Sequence, residues 1–229
     1  MKNKNLLILS LVLLLSLSMS AQGLINNTAA RNRILATPLF QENLDLKAFY
    51  ETVTGSPYIY DALLPAKVND YKDIVSARYD AYKDVITIQI NDSKIFYLEK
   101  KLGNQIKFIN TKDVYEAFEG ESGNVEFFKI VQKSDKYSLL VKQVVKLQGG
   151  TKPKNTYDEY KPAVFKRAKD KFYLSFDNSK AIKLPTKKKK FYKIFSKKES
   201  EIKGFIKKNK LNIKKQKDIL KIVDFYTTL

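Results

Sequence analysis

The chain has 229 residues, and 43 Lys+Arg against 24 Asp+Glu give it a formal net charge of +19. It contains no Cys, His or Trp, which excludes thiol nucleophiles, imidazole bases, Cys/His zinc centres and disulfides. With hydrophobic residues at 44% and aromatics at 12%, it can bury a core and is not a disordered polycation.

Lys2 and Lys4 precede an apolar run from Leu6 to Leu17, and the small residues Ser18, Ser20 and Ala21 follow. That pattern predicts a secretory signal peptide over residues 1–21. Its length of 12 residues falls short of the roughly 20 that a spanning helix needs. The product is expected to be exported, periplasmic or extracellular. Without a cysteine for lipid attachment it is not expected to be a lipoprotein, and no second run is long enough to span a membrane after cleavage.

Residues 22–37 are small and polar and read as a flexible leader. Leu44 to Val53 fits either a short helix or a strand. From Gly55-Ser56-Pro57-Tyr58 onward the pattern becomes short β-rich segments separated by turn residues, which assigns 38–184 to an antiparallel β-rich region. The clearest segment is Val85 to Ile90, where Ile86, Ile88 and Ile90 alternate with Val85, Thr87 and Gln89, as in a half-buried strand. Further strands are expected at Ile74–Tyr79, Ile95–Glu99, Gln105–Ile109, Val125–Gln132, Tyr137–Val145, Ala163–Arg167, Phe172–Phe176 and Ala181–Leu184. Their connections are too short for crossover helices, so neighbours are antiparallel and the sheet is a meander forming an open sheet, half-barrel or sandwich. Gln148 to Asn155, with Gly149, Gly150 and Pro153, is either an internal boundary or a long loop.

One segment repeats. Lys83-Asp84, the strand through Ile86, Ile88 and Ile90, and the turn Asn91-Asp92-Ser93-Lys94 recur at an offset of 86 as Lys169-Asp170, Phe172, Leu174, Phe176 and Asp177-Asn178-Ser179-Lys180. Two readings remain open, duplicated hairpin units near 76–98 and 162–184 or convergence on common turn chemistry.

After Pro185 the period becomes helical. Ser196 and Glu199 have the spacing of a capping box, Thr186 stands where an N-cap belongs, and apolar triplets recur at i, i+3, i+4: Phe191, Ile194, Phe195; Ile202, Phe205, Ile206; Ile219, Ile222, Val223. Residues 185–229 are therefore expected to form a basic tail of short amphipathic helices packing on the sheet. The fold class is α+β, an antiparallel meander followed by C-terminal helices.

Charge divides unevenly along this plan. Residues 1–150 carry 19 basic and 16 acidic side chains, residues 151–229 carry 24 and 8. Lys187, Lys188, Lys189, Lys190 and Lys193 open the basic tail and are the candidate anion-contact residues. An anionic envelope component fits them: lipopolysaccharide, an acidic polysaccharide or a lipid surface. A solvated polar face explains the same lysines. Specific nucleic-acid binding is disfavoured, because Arg167 is the one arginine of the region and the aromatics fall in core stripes.

No catalytic residue, metal ligand or cofactor is assigned. Ser93-Lys94 and Ser179-Lys180 sit in turns that do not desolvate a lysine base. Asp70, Asp73, Asp80 and Asp84 cluster in sequence, as a hydrolase pair or calcium site would, but match no EF-hand spacing. Tyr58, Tyr60, Tyr71, Tyr79, Tyr82, Phe96 and Tyr97 read first as cross-strand packing. The leader ending in Ser20-Ala21-Gln22, the Gly55-Ser56-Pro57-Tyr58 and Arg78-Tyr79-Asp80-Ala81-Tyr82 segments and the Lys-rich tail resemble small exported proteins of Bacteroidota-type bacteria that carry no assigned activity. The resemblance implies export and a Gram-negative setting and transfers no functional residue. The expected function is a non-enzymatic envelope protein acting by surface interaction. The alternatives are a periplasmic carrier of an apolar ligand and a carboxylate-based hydrolase.

Overall fold

Alternating apolar residues between tight polar turns become strands through most of the chain. A computed structural model describes residues 53–91, 94–150 and 162–229. The signal peptide, the leader and all of the 44–53 segment except Val53 lie outside the described residues, as does 151–161. The strands are β1 (Leu64–Val68), β2 (Val75–Asp80), β3 (Val85–Asn91), β4 (Lys94–Tyr97), β5 (Gln105–Phe108), β6 (Val114–Glu119), β7 (Val125–Lys133), β8 (Ser138–Lys142), β9 (Val145–Gln148), β10 (Val164–Arg167), β11 (Lys171–Ser175) and β12 (Ile182–Lys183). Helices α1 (Lys188–Tyr192), α2 (Glu199–Lys208) and α3 (Gln216–Tyr226) follow, with a 3₁₀ segment over Lys193–Lys198.

Ten strands form one open antiparallel sheet in the order β12-β11-β8-β7-β6-β5-β1-β2-β3-β4, and β9 and β10 form a separate two-stranded ribbon. Two meanders make the large sheet. The chain runs outward from β1 to the edge at β4, returns to pair β5 with β1, and runs outward again from β5 through β8 to β11 and β12. The repeated hairpins, β3–β4 and β11–β12, therefore occupy opposite edges of one sheet. The stretch after Gln148 connects two strands that pair with each other.

Both coverings of the sheet lie on the same face. Tyr115 lies opposite Lys129, Lys129 opposite Val141, and Leu139 is two residues from Val141, so alternation puts all four on one side. Tyr115 packs with Val145 and Phe165 of the ribbon, while Leu139 and Leu174 pack with Phe191, Phe195, Ile202, Ile206, Ile219, Ile222 and Val223 of the helices. Burying each such side chain stabilises the fold by about 1.5–3 kcal/mol. A smaller cluster, Phe118, Phe128, Leu140 and Tyr173, fills part of the opposite face. Gly55 anchors the ribbon: it has φ +82, and a Cβ there would stand 2.6 Å from the Phe165 carbonyl oxygen, so only glycine allows the approach.

The structure departs from the sequence reading at several places. β1 and β6 are strands that the pattern did not announce. Pro65 obscures β1, yet it sits where the register pairs the strand only with β2. β6 breaks alternation because it is buried on both faces, with Glu116 only 2% exposed and held by Lys133 Nζ at 2.7 and 2.8 Å. The expected strand Tyr137–Val145 is split between β8 and β9. The capping box is not made. Ser196 has φ 25 and ψ −93, the residue before α2 is Lys198, and it makes no side-chain cap bond. Thr186 is not a cap either, since Lys187 precedes α1.

Candidate anion-contact surface

The helical cap is built so that its lysines have nowhere to go but solvent. In α1 the one buried residue is Phe191, and the turn below it buries Phe195; both are inaccessible. With those two rings turned inward, Lys187, Lys188, Lys189 and Lys190 before Phe191 and Lys193 between Phe191 and Phe195 are all exposed. α2 repeats the arrangement with Ile202 and Ile206 inward and Lys203, Lys207 and Lys208 outward. In α3, Ile219, Ile222 and Val223 point inward and Lys217 and Lys221 outward. Glu199 and Glu201 in the first turn of α2, and Lys207 and Lys208 in its last, favour the helix dipole. Before α3, the Asn212 side chain accepts from the Lys214 N–H and Asp218 accepts from the Asn212 N–H, both at 2.9 Å.

Among the described residues, none of the five candidate lysines forms an ion pair, and the pair seen in the cap is Lys198–Glu201 at 3.7 Å. Four lysines of the sheet region differ. Lys129 pairs with Asp113 at 2.7 Å, Lys133 with Glu116 at 2.7 Å, and Lys180 with Glu119 at 3.1 Å. Lys142, 7% exposed, pairs with Asp84 at 2.7 Å and Glu126 at 3.1 Å and donates to the Phe127 carbonyl at 2.9 Å. Its ammonium also lies 4.9 Å from the Phe128 ring centroid, a cation–π contact.

Asp84 is the centre of that cluster. At the tip of the β2–β3 turn it adopts φ 58, a left-handed conformation that Asp tolerates. Its carboxylate accepts from Tyr79 Oη at 2.7 Å and the Phe127 N–H at 3.3 Å, and pairs with Lys100 at 3.1 Å. Asp170, its counterpart in the repeat, makes an exposed pair with Arg167 at 3.4 Å and no other ion pair among the described residues. The two hairpins share strand pattern but not turn chemistry.

The other candidate constellations disperse. Asp80 caps its own turn by accepting the Tyr82 and Lys83 N–H groups, each at 2.9 Å, and Asp73 accepts from Tyr71 Oη. No group of three or more acidic side chains positioned to hold a metal occurs among the described residues. Ser93 lies outside the described residues; Lys180 is engaged by Glu119. The tyrosines have separate partners. Tyr79 packs 4.8 Å from Tyr115, Tyr82 meets Phe165 edge-on at 5.2 Å, and Arg78 stacks over Tyr58 at 3.7 Å. Burial raises the Tyr79, Tyr115 and Tyr173 phenols above the usual tyrosine value, Tyr173 to about 12.

One feature of the cap was not read from the sequence. Phe205, assigned to a core stripe with Ile202 and Ile206, is only half-buried, and it lines an open groove of about 440 Å³ between α2 and α3 together with Leu211 and Phe225. Phe225 follows the last apolar triplet by two positions, a signal that the stripe widens there. No described helix is long and apolar enough to cross a membrane. No family model matches the chain, and neither a curated protein nor a solved structure was found similar to it.

Proposed function

We propose that the protein is an exported, non-enzymatic component of the cell envelope that works by surface interaction, with its helical cap contacting an anionic partner. The observation that carries the reading is the state of the cap lysines. Lys187 to Lys190 and Lys193 are exposed and free of carboxylate partners among the described residues, in a region with three times as many basic as acidic side chains. Unneutralised charge of one sign concentrates counter-ions and steers polyanions, and such association weakens as salt screens it. The five lysines flank Phe191, which with Phe195 is buried in the core below. Export follows from the N-terminal Lys2/Lys4 and Leu6–Leu17 pattern.

The test is retention of the mature protein on heparin and on immobilised lipopolysaccharide. Replacing Lys187, Lys188, Lys189 and Lys190 with Gln is expected to lower the salt needed for elution from both. Unchanged retention, together with no dependence on salt, would overturn the reading.

A further inference from the structure

The groove between α2 and α3 combines features that a surface built only for polyanions does not need. Phe205 and Phe225 stack nearly parallel, 9° apart with centroids 4.0 Å from each other. Both are half-buried, so part of each ring faces the groove. Leu211 adds to this apolar wall. Two charged side chains line the same space. One, Asp224, is exposed and keeps its charge at the sheet side of the groove, where its carboxylate accepts from Tyr137 Oη at 2.5 Å and Gln132 Nε2 at 3.2 Å and ties α3 to the sheet. The other, Lys221, is exposed and has no ion pair among the described residues. Lys207, Lys208 and Lys210, also exposed, follow Phe205 along the chain, and Lys217 precedes Lys221 by one helical turn.

An apolar slot flanked by long cationic side chains is complementary to a molecule with hydrocarbon at one end and negative charge at the other. Lysine stems can lie along the hydrocarbon while the ammonium groups meet the anion. A polysaccharide would engage the lysines, but its sugar rings stack on open aromatic faces, and Phe205 and Phe225 cover each other's inner faces. Amphipathic helices that lie on anionic bilayers present this combination, rings or leucines inward and lysines at the level of the headgroups.

We propose that the groove accepts an acyl chain of an anionic phospholipid, with Lys221 and its neighbouring lysines on the headgroup phosphate, so that the cap docks on a bilayer surface. This rests on the reading of the cap as an anion-contact surface and adds to it a specific partner and a point of insertion.

The absence of tryptophan makes a direct test available. The mature protein carrying Phe225→Trp, and separately Phe205→Trp, has a single tryptophan in the groove wall. With phosphatidylglycerol vesicles its emission is expected to shift to the blue and to be quenched by acyl chains brominated near the headgroup; phosphatidylcholine vesicles should change neither. Lys221→Gln is expected to weaken partitioning to phosphatidylglycerol about fivefold, the loss of one near-surface lysine contact. Emission that stays unchanged in both variants while the protein still sediments with phosphatidylglycerol vesicles would overturn the inference and leave the anion-contact reading standing. Failure to bind the vesicles or heparin at all would overturn both.

Discussion

The sheet pairs part of its lysine charge with carboxylates, whereas the cap leaves nearly all of its own in solvent; Lys67, Lys107 and Lys171 of the sheet are exposed and, among the described residues, without an ion pair, as the cap lysines are. In the sheet, Lys129, Lys133, Lys142 and Lys180 each meet a carboxylate within 3.1 Å, and Lys142 and Glu116 are almost wholly buried. In the cap, Lys187 to Lys190 meet none among the described residues. A buried pair contributes to stability only as a pair, since removing one partner strands the other charge in a poorly solvating medium. An exposed lysine contributes little to stability whether or not it is paired. The comparison therefore separates charge that holds the fold from charge left over for a partner.

The largest expected effect comes from removing a buried lysine and stranding its carboxylate partners. Lys142→Ala leaves Asp84 and Glu126 without their shared cation and is expected to cost about 3 kcal/mol, read from the urea unfolding midpoint. A loss below about 1 kcal/mol would mean that Lys100 and the Tyr79 hydroxyl suffice for Asp84. Next, Tyr137→Phe removes the donor to Asp224 where cap meets sheet and should cost about 1–2 kcal/mol, measured in the same way. Full stability in that variant would show the cap to be held by its apolar contacts alone.

Alkaline pH strikes the buried phenols of the sheet and the Tyr137 phenol at its seam with the cap, which burial and the bond to Asp224 also raise. Burial holds the Tyr79, Tyr115 and Tyr173 phenols neutral above the value of 10.0 expected of a free tyrosine. Unfolding releases their protons once pH exceeds that value, so stability is intact below pH 10 and falls as pH rises, through about 12 for Tyr173. A thermal midpoint that stays level from pH 9 to pH 11 would contradict this assignment. The smallest effect is expected at Ser196. A working capping box would make Ser196→Ala cost about 1 kcal/mol; with the box unmade, the change should stay within about 0.5 kcal/mol.

How much of this was legible in the sequence follows from how many faces an element buries. β3 has one fully dry face, Ile86 and Ile88, and one that is only partly covered at Val85 and Gln89, so apolar and polar residues still alternate and the strand reads directly. β6 and β8 are dry on both sides and carry charges that are satisfied only by distant residues, Glu116 by Lys133 and Lys142 by Asp84, 17 and 58 positions away. No local pattern encodes such partners. The helices were legible through their apolar stripes, but the Ser196–Glu199 spacing misled because the backbone kinks at Ser196 before α2 begins. Of the candidate site, the exposed lysines follow from periodicity alone. The groove does not, since it depends on the angle at which α2 and α3 meet and on Phe225 finding Phe205.

The most direct test of the division between structural and free charge sets one variant beside another. Lys187 to Lys190 changed to Gln, and Lys142→Ala, are each measured for urea midpoint and for the salt concentration that elutes them from heparin. The expected result is a crossed one: the cap variant elutes at lower salt with its midpoint unchanged, and the sheet variant loses stability while its folded fraction elutes where the unaltered protein does. If the cap variant elutes where the unaltered protein does, its lysines are only a solvated surface and the central claim is wrong.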